Sequence, residues 1–552
     1  MTKNILFIMY DQLRFDYLSC AGHPHLQTPN FDRVAAKGVR FDRAYVQSPV
    51  CGASRMSYYT GRYVHSHGAQ WNNHPLKVGE MTLGDHLRKL GMQTWLIGKT
   101  HMKADAEGMA RLGLAADSVI GARVSECGFD VWVRDDGLNA EGPDGFYDRR
   151  RSPYNEYLLN KGYAGPNPWH DSANAGVTPD GDIASGFLMQ HADKPANVRE
   201  EDSETPWLTD QAIAFMQDHK DGAPWCAHVS YIKPHWPYIV PAPYHAMYDT
   251  GQIQKVVRAP QERENPHPVY EAFLNGIIGK AFHDDKVREV VIPAYMGLIK
   301  QCDDHLGRIL EYLDDSGQMD STMIVLTSDH GDYMGDHWMG EKDLFHEPSV
   351  KVPMIIFDPS PEADATRGTV CNALVESIDL AATFIETAGG EVPAHIVEGR
   401  SLMPWIRGET PDDWREFAIS EYDYSGTGAA VKLGMAPKDC RLFMVVTHRW
   451  KFMHAEGGFR PMLFDLHNDP DELEDLGESD AHKAIIAQMY DHLFTWARRM
   501  SQRTTISDAT ITEKRGASRR RGIVLGAYDA EGISDEILSK YVGPAPEVPD
   551  VT

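Results

Sequence analysis

The segment Ser48-Pro49-Val50-Cys51-Gly52-Ala53-Ser54-Arg55 sets a cysteine where a helix is about to begin. Free N–H groups in a first helical turn favour a bound anion and an ionised nucleophile. Arg55 is four residues on, on the same helical face, and can reach the same charge. Taken alone, a cysteine in such a place is usually a small buried hydrophobe. Three other segments argue for more. Residues 4–10 (NILFIMY) end at Asp11, residues 92–97 (MQTWLI) lead into Gly98-Lys99-Thr100-His101, and residues 323–327 (MIVLT) end at Asp329-His330. An aspartate after one strand is more often a helix cap than a functional group. Three polar strand ends, far apart in the chain, point to the edge of an open α/β sheet where sites are built.

The elements that must carry these residues follow from periodicity. The continuous apolar run 4–10 predicts a buried parallel strand. Residues 28–37 predict a helix capped by Thr28, with Pro29 first and Gly38 closing it. Further strands are expected at 39–46, 92–97, 225–231, 323–327 and 353–357, and further helices at 82–90, 209–217 and 292–313. Residues 104–202, rich in Gly, Asp, Asn and Pro, are expected to form loops that wall a site, with little regular structure. After about residue 410 the rhythm changes, with short strands at 417–422, 442–447 and 451–454 and a helix at 481–500. The expected fold is α/β, a large central sheet flanked by helices, with a smaller C-terminal α+β subdomain. The expected division is a catalytic domain over 1–410, the subdomain over 411–500 and an arm over 501–552. That arm carries Arg519-Arg520-Arg521 and a proline-rich end, and reads as a surface arm or one that wraps a neighbouring subunit.

Composition narrows the function. A net charge of −26 disfavours nucleic acid and anionic membranes as partners. An anionic substrate would have to be met by a local group of cations. The 7 cysteines are scattered, without a CxxC pair, which predicts a reducing compartment and no disulfide framework. The N-terminal apolar run is short and broken by Asp11, and no stretch is long enough to span a bilayer. A cytoplasmic protein is expected.

CGASR at 51–55 followed by YYTGR resembles the sulfatase signature, Cys-x-Pro/Ala-x-Arg with a Thr-Gly shortly after. GKTH at 98–101, KPHWPY at 233–238, TSDHGDYMGDH at 327–337 and LFDLHNDPDELEDL at 463–476 are similar to the same family, so the resemblance runs from residue 4 to about 475. It points to the sulfatases of the alkaline phosphatase superfamily, close to bacterial arylsulfatases and phosphonate monoester hydrolases, and so to a mixed, mostly parallel sheet. It implies that Cys51 is oxidised to formylglycine by a formylglycine-generating enzyme. It also implies one divalent metal, Ca²⁺ or Mn²⁺, held by Asp11, Gln12, Asp329, His330 and the modified Cys51. Oxygen ligands suit Ca²⁺, whereas the imidazole moves preference toward Mn²⁺.

The resemblance further implies that the hydrated aldehyde attacks sulfur, with Lys99, Lys342 and Asn72 against the nonbridging oxygens. His235, with Lys342 nearby, matches the general acid, and His101 matches the base that lets the covalent ester collapse without attack by water. Lys233 reads as structural, and Asp336 and His337 as supports behind the metal ligands. The pair Lys99 and His101 is sulfatase-like, while Gln12 and His330 are shared with phosphonate monoester hydrolases. The expected activity is hydrolysis of small sulfate monoesters by an arylsulfatase-like enzyme. A phosphonate monoester or phosphodiester hydrolase is the alternative, choline-sulfatase-like activity comes third, and a homodimer or homotetramer is expected. A phosphatase of the same fold would carry Ser or Thr at position 51. An inactive binding protein would have lost several of these residues, and all are present.

Overall fold

The computed structural model describes residues 3–72, 74–137, 152–515 and 534–535. Its strands, in chain order, are β1 (Asn4–Asp11), β2 (Val39–Tyr45), β3 (Gln93–Gly98), β4 (Asp130–Val133), β5 (Ala175–Val177), β6 (Ile183–Ser185), β7 (Trp225–Pro234), β8 (Thr322–Ser328), β9 (Met354–Phe357), β10 (Thr369–Glu376), β11 (Ala418–Asp423), β12 (Arg441–Val446), β13 (Trp450–Ala455) and β14 (Met462–Asp465). Eight form one sheet in the order β10-β2-β9-β8-β1-β7-β3-β4. Only β9 runs antiparallel to its neighbours β2 and β8. The mixed, mostly parallel α/β sheet expected from the sequence is thus present.

β1 shows why the run 4–10 is apolar without a break. Its side chains alternate between two cores, Ile5, Phe7 and Met9 on one face and Leu6, Ile8 and Tyr10 on the other. Helices Cys51–Thr60, Leu83–Lys89 and Asp379–Thr387 cover the first face. Pro29–Lys37, Glu204–Asp218 and Asp285–Asp315 cover the second. The C-terminal antiparallel sheet β11-β12-β13-β14 is also two-sided. Ile419, Val445, Phe452 and Leu463 pack with Met489 and Trp496 of helix Lys483–Ala497. Ala418, Tyr422, Met444 and Phe464 join the first core.

Residues 1–392 with 397–499 form one compact unit, and 393–396 with 500–552 a second. In the second, Ser507 caps a helix over Asp508–Lys514. The triple arginine and the proline-rich end lie outside the described residues. Among the described residues, no helix is long and apolar enough to cross a membrane.

Several expectations need correction. Residues 104–202 are more regular than their composition suggests. Helices occupy Ala106–Arg111, Val119–Ser125 and Pro153–Asn160, and β4 extends the main sheet at its edge. Each helix is too short to show a period, yet each begins at a side-chain cap, Asp105, Ser118 and Ser152. Thr28 does not cap its helix with its side chain. Its hydroxyl accepts from Ser19 N–H (2.9 Å). Asp303, from the long helix, accepts instead from Asn30 and Phe31 N–H at 2.9 and 3.0 Å. That long helix starts at Asp285 rather than near residue 292 and carries Pro293 inside it.

Glu421 in β11 gives a measurable signature of burial. It accepts from His65 N–H at 2.9 Å, and burial pushes its carboxyl up to about 8. The folded chain then keeps a proton that the unfolded chain has lost, so stability falls as pH rises from the ordinary glutamate value to about 8. Glu421→Gln is expected to leave urea midpoints unchanged near pH 4 and to raise stability by roughly 2 kcal/mol at pH 8.

Candidate active site

Four adjacent parallel strands, β8-β1-β7-β3, end at one edge of the sheet. β1 closes with Asp11; Asp329 and His330 follow β8, His235 follows β7 and Lys99 follows β3. β7 thus adds a fourth carrier to the three that periodicity suggested. Helix Cys51–Thr60 is buried along its whole length, as its position under the sheet requires. Gly52 lies close under Asn72, where a Cβ would sit 3.0 Å from Asn72 Oδ1 and 3.1 Å from Asn72 Cα. Gly52 N–H donates to Asn72 Oδ1 at 2.8 Å.

Cys51 Sγ lies 3.0 Å from His330 Nε2, 2.8 Å from Lys342 Nζ and 3.8 Å from Asp11 Oδ1. His330 Nδ1 is 2.8 Å from Gly331 O, and a carbonyl can only accept, so Nδ1 carries the proton and a neutral ring offers an Nε2 lone pair to the site. Burial, and then Lys342, hold His330 below its ordinary value against the pull of Asp329 and Asp11. His235 is oriented the same way by Trp236 O at 2.7 Å, and its Nε2 lies 3.4 Å from Lys342 Nζ. Burial, with Lys342 and Lys99, sets it well below the usual histidine value although Asp11 opposes them.

Lys342 rises above the usual lysine value despite burial because Cys51, Asp11 and Glu341 surround it. The loop carrying it is strained: Met334, His337, Trp338, Glu341, Asp343 and Leu344 all have positive φ. Lys99 Nζ is 2.6 Å from Asp11 Oδ2. Burial would raise the Asp11 carboxyl, but Lys99, and behind it His235, Arg55 and His330, hold it well below the usual range.

Arg55 lies close enough to feel charge at Cys51, as its spacing suggested, and its hydrogen bonds go to the groups behind it. Its guanidinium donates to Asp329 Oδ2 (2.8 Å), Asp11 Oδ2 (3.1 Å), Ser230 Oγ (2.7 Å) and Lys99 O (3.1 Å). It therefore clamps both carboxylates from behind, rather than offering donors to a ligand. Lys233 is structural, donating to Asn174 Oδ1 (2.7 Å) and Pro237 O (3.0 Å). Asp336 accepts from Arg14 (2.7 Å) and His337 pairs with Glu262 (2.7 Å), so their side-chain bonds go to groups outside the cluster.

His101 has a positive φ, 55°. Asp136 Oδ1 holds that backbone, accepting from Thr100 N–H (3.1 Å) and His101 N–H (3.3 Å). Asp136 is in turn paired with Arg134, and burial fails to raise its carboxyl because Arg134 pulls it down to about 2. The sequence reading missed Asp136. Its only signal is its place just after the edge strand β4, inside a segment judged to be loop. Asp136→Ala is expected to lower kcat about 10-fold with little change in KM, by freeing the two N–H groups that set the His101 turn. Steady-state kinetics and a circular-dichroism melt separate this from unfolding.

The residues present fit a divalent cation. The ligand atoms of Asp11, Cys51, Asp329 and His330 all lie within 4.8 Å of one another and are buried. Gln12 adds an independent sign. Its NH2 donates to Asp332 and to Tyr238 Oη (3.1 Å), while its Oε1 is buried without a hydrogen-bond partner. A buried amide oxygen left bare is costly, and a cation would satisfy it.

Residues 3–390 match the family model described as Sulfatase. The chain belongs to the sulfatase family. Residues 335–499 of this sulfatase also match the description N-sulphoglucosamine sulphohydrolase, C-terminal. It is 30% identical over 538 residues to the multifunctional alkaline phosphatase superfamily protein PehA of Trinickia caryophylli, covering 93% of this chain and 98% of that one. It is 28% identical to an arylsulfatase of Clostridium perfringens, covering 88% and 92%. The solved phosphonate monoester hydrolase SpPMH of Silicibacter pomeroyi superposes with a TM-score of 0.79 at 29% identity, covering 92% and 98%. The sulfatase expected from residues 51–55 is therefore the family found, and the chain is a hydrolase of that type.

Proposed function

We propose that this sulfatase hydrolyses small sulfate monoesters, with formylglycine made from Cys51 as nucleophile and one divalent cation, Ca²⁺ or Mn²⁺. The observation that carries the reading is the setting of Cys51 Sγ, touching Lys342 and His330 at the start of a buried helix. Asp11, Asp329, His330 and Gln12 Oε1 would hold the cation, which would supply Lewis-acid stabilisation of charge on the sulfate oxygens. Formylglycine, hydrated, would supply an oxygen nucleophile in place of the thiol.

The chain's own residues do the rest. Lys99, Lys342 and the Asn72 NH2 bind the nonbridging oxygens, which answers the net charge of −26 with local cations. His235 Nε2 faces the leaving oxygen with Lys342 Nζ 3.4 Å away, and together they supply its proton. His101, whose imidazole is near enough to Cys51 to respond to its charge, receives the proton released at position 51. Arg55 keeps the two carboxylates in place.

A phosphonate monoester or phosphodiester hydrolase is the second reading. It is favoured by Gln12 and His330 and by the likeness to the phosphonate monoester hydrolase SpPMH. Lys99 with His101 favours sulfate. The proposal includes maturation by a formylglycine-generating enzyme, a cytoplasmic setting in keeping with seven free cysteines, and a homo-oligomer.

Intact mass and peptide mapping around Cys51 test the nucleophile directly, since conversion removes about 18 Da. Aryl sulfate and aryl phosphonate turnover, with and without chelator, test substrate and cation. Lys99→Ala is expected to lower sulfate turnover about 10²-fold and phosphonate turnover less. Equal losses on both substrates would favour the second reading.

A further inference from the structure

Three large apolar side chains stand exposed between residues 183 and 188: Ile183 at 53%, Phe187 at 46% and Leu188 at 54%. A contiguous apolar stretch on a surface usually meets a ligand or a partner. Phe187 is held in place. Gly186 N–H donates to Asn174 O at 3.2 Å, and a Cβ at Gly186 would collide with that oxygen at 2.2 Å and with Ile239 at 2.6 Å. Asn174 is itself tied through Oδ1 to Lys233, on the strand that ends one residue before His235. Only glycine lets this hairpin approach the His235 loop so closely.

The approach makes a continuous row of rings. His170 stacks on Phe187 at 5.1 Å, Phe187 meets Trp236 edge-on at 5.9 Å, and Trp236 lies 4.7 Å from the ring of His235. One end of the site is thus cationic, at Lys99 and Lys342, and the side next to His235 is aromatic. We propose that Phe187 and Trp236 form the wall that receives the leaving group and select flat, apolar phenols with extended rings over smaller ones. The inference rests on the reading above in which His235 faces the leaving oxygen. Aromatic walls gain from ring contacts as well as from area, which gives preference to larger rings at equal chemistry.

The test compares phenyl sulfate with 2-naphthyl sulfate, whose phenols have similar acidity, in wild type, Phe187→Ala and Phe187→Tyr. Direct calorimetric binding of 2-naphthol, which needs no turnover, runs alongside. Phe187→Ala is expected to raise KM for the naphthyl ester about 10-fold and weaken naphthol binding equally, with kcat changed less than about 2-fold. Phenyl sulfate KM rises less, about 2-fold, inhibition by inorganic sulfate stays unchanged, and Phe187→Tyr keeps the preference. Equal effects on both esters with unchanged naphthol affinity would overturn the proposal. So would a change of oligomeric state in Phe187→Ala without a change in selectivity, which would assign the stretch to a second copy of the chain. A wild type that turns over neither sulfate removes the sulfate reading alone, because naphthol binding still decides the wall.

Discussion

Cys51→Ala is expected to lose sulfate turnover by at least about 10³-fold while its stability stays within about 1 kcal/mol of wild type. The activity term follows from removing the only atom that can become the nucleophile. The stability term follows from size, since alanine fills nearly the same buried space and opens little cavity. Lys342 loses its 2.8 Å partner but keeps His330 Nε2 at 3.3 Å and His235 Nε2 at 3.4 Å. Initial rates, a urea titration and peptide mapping of both proteins check the prediction together. Equal rates in the two proteins would end the covalent scheme, because no other group would then be needed at position 51.

Arg55→Met is expected to destabilise the fold by about 3–5 kcal/mol, read as a lowered melting temperature. Methionine fills much of the arginine volume, so the effect isolates charge from packing. Asp11 and Asp329 have fully buried side chains and both accept hydrogen bonds from this one guanidinium. Without it, Asp11 keeps Lys99 at 2.6 Å, but Asp329 Oδ2 loses its charged partner. Arg55→Lys should recover little, because one ammonium cannot reproduce the four bonds that the planar fork makes to separate groups. Adding a divalent cation should recover part of the loss in Arg55→Met, since the ion would supply the missing positive charge between the same carboxylates. A melt unmoved by Arg55→Met would show that the carboxylates do not need the clamp.

Much of the site is legible in the sequence because parallel strands announce themselves. β1 and β8 are built on short apolar runs, ILFIMY and MIVL, and the residues that follow them, Asp11, Asp329 and His330, fall on one edge from the sequence alone. Cys51 and Lys99 follow from motifs. What could not be read is what depends on contacts across long separations. Arg55 is on the expected helical face, yet its partners lie 44, 175 and 274 residues away, so spacing could not say that it serves carboxylates instead of a ligand. Thr28 looked like a cap, but Asp303, 272 residues from Phe31, does the capping. Asp136 and Phe187 were hidden in a segment whose glycines and prolines suggested loop, because helices of six to eight residues carry too few turns to show a period.

The groups that close over Cys51 come from far down the chain: His330 is 279 residues later and Lys342 is 291. At a synthesis rate of about 5–20 residues per second, His330 leaves the ribosome roughly 14–56 s after Cys51. During that interval β8, His330 and Lys342 have not yet been made, so none of them covers the thiol. The topology therefore builds a timer into translation: an enzyme acting on this cysteine has tens of seconds of access, and slowing the ribosome between codons 51 and 330 would lengthen that window without altering a single residue.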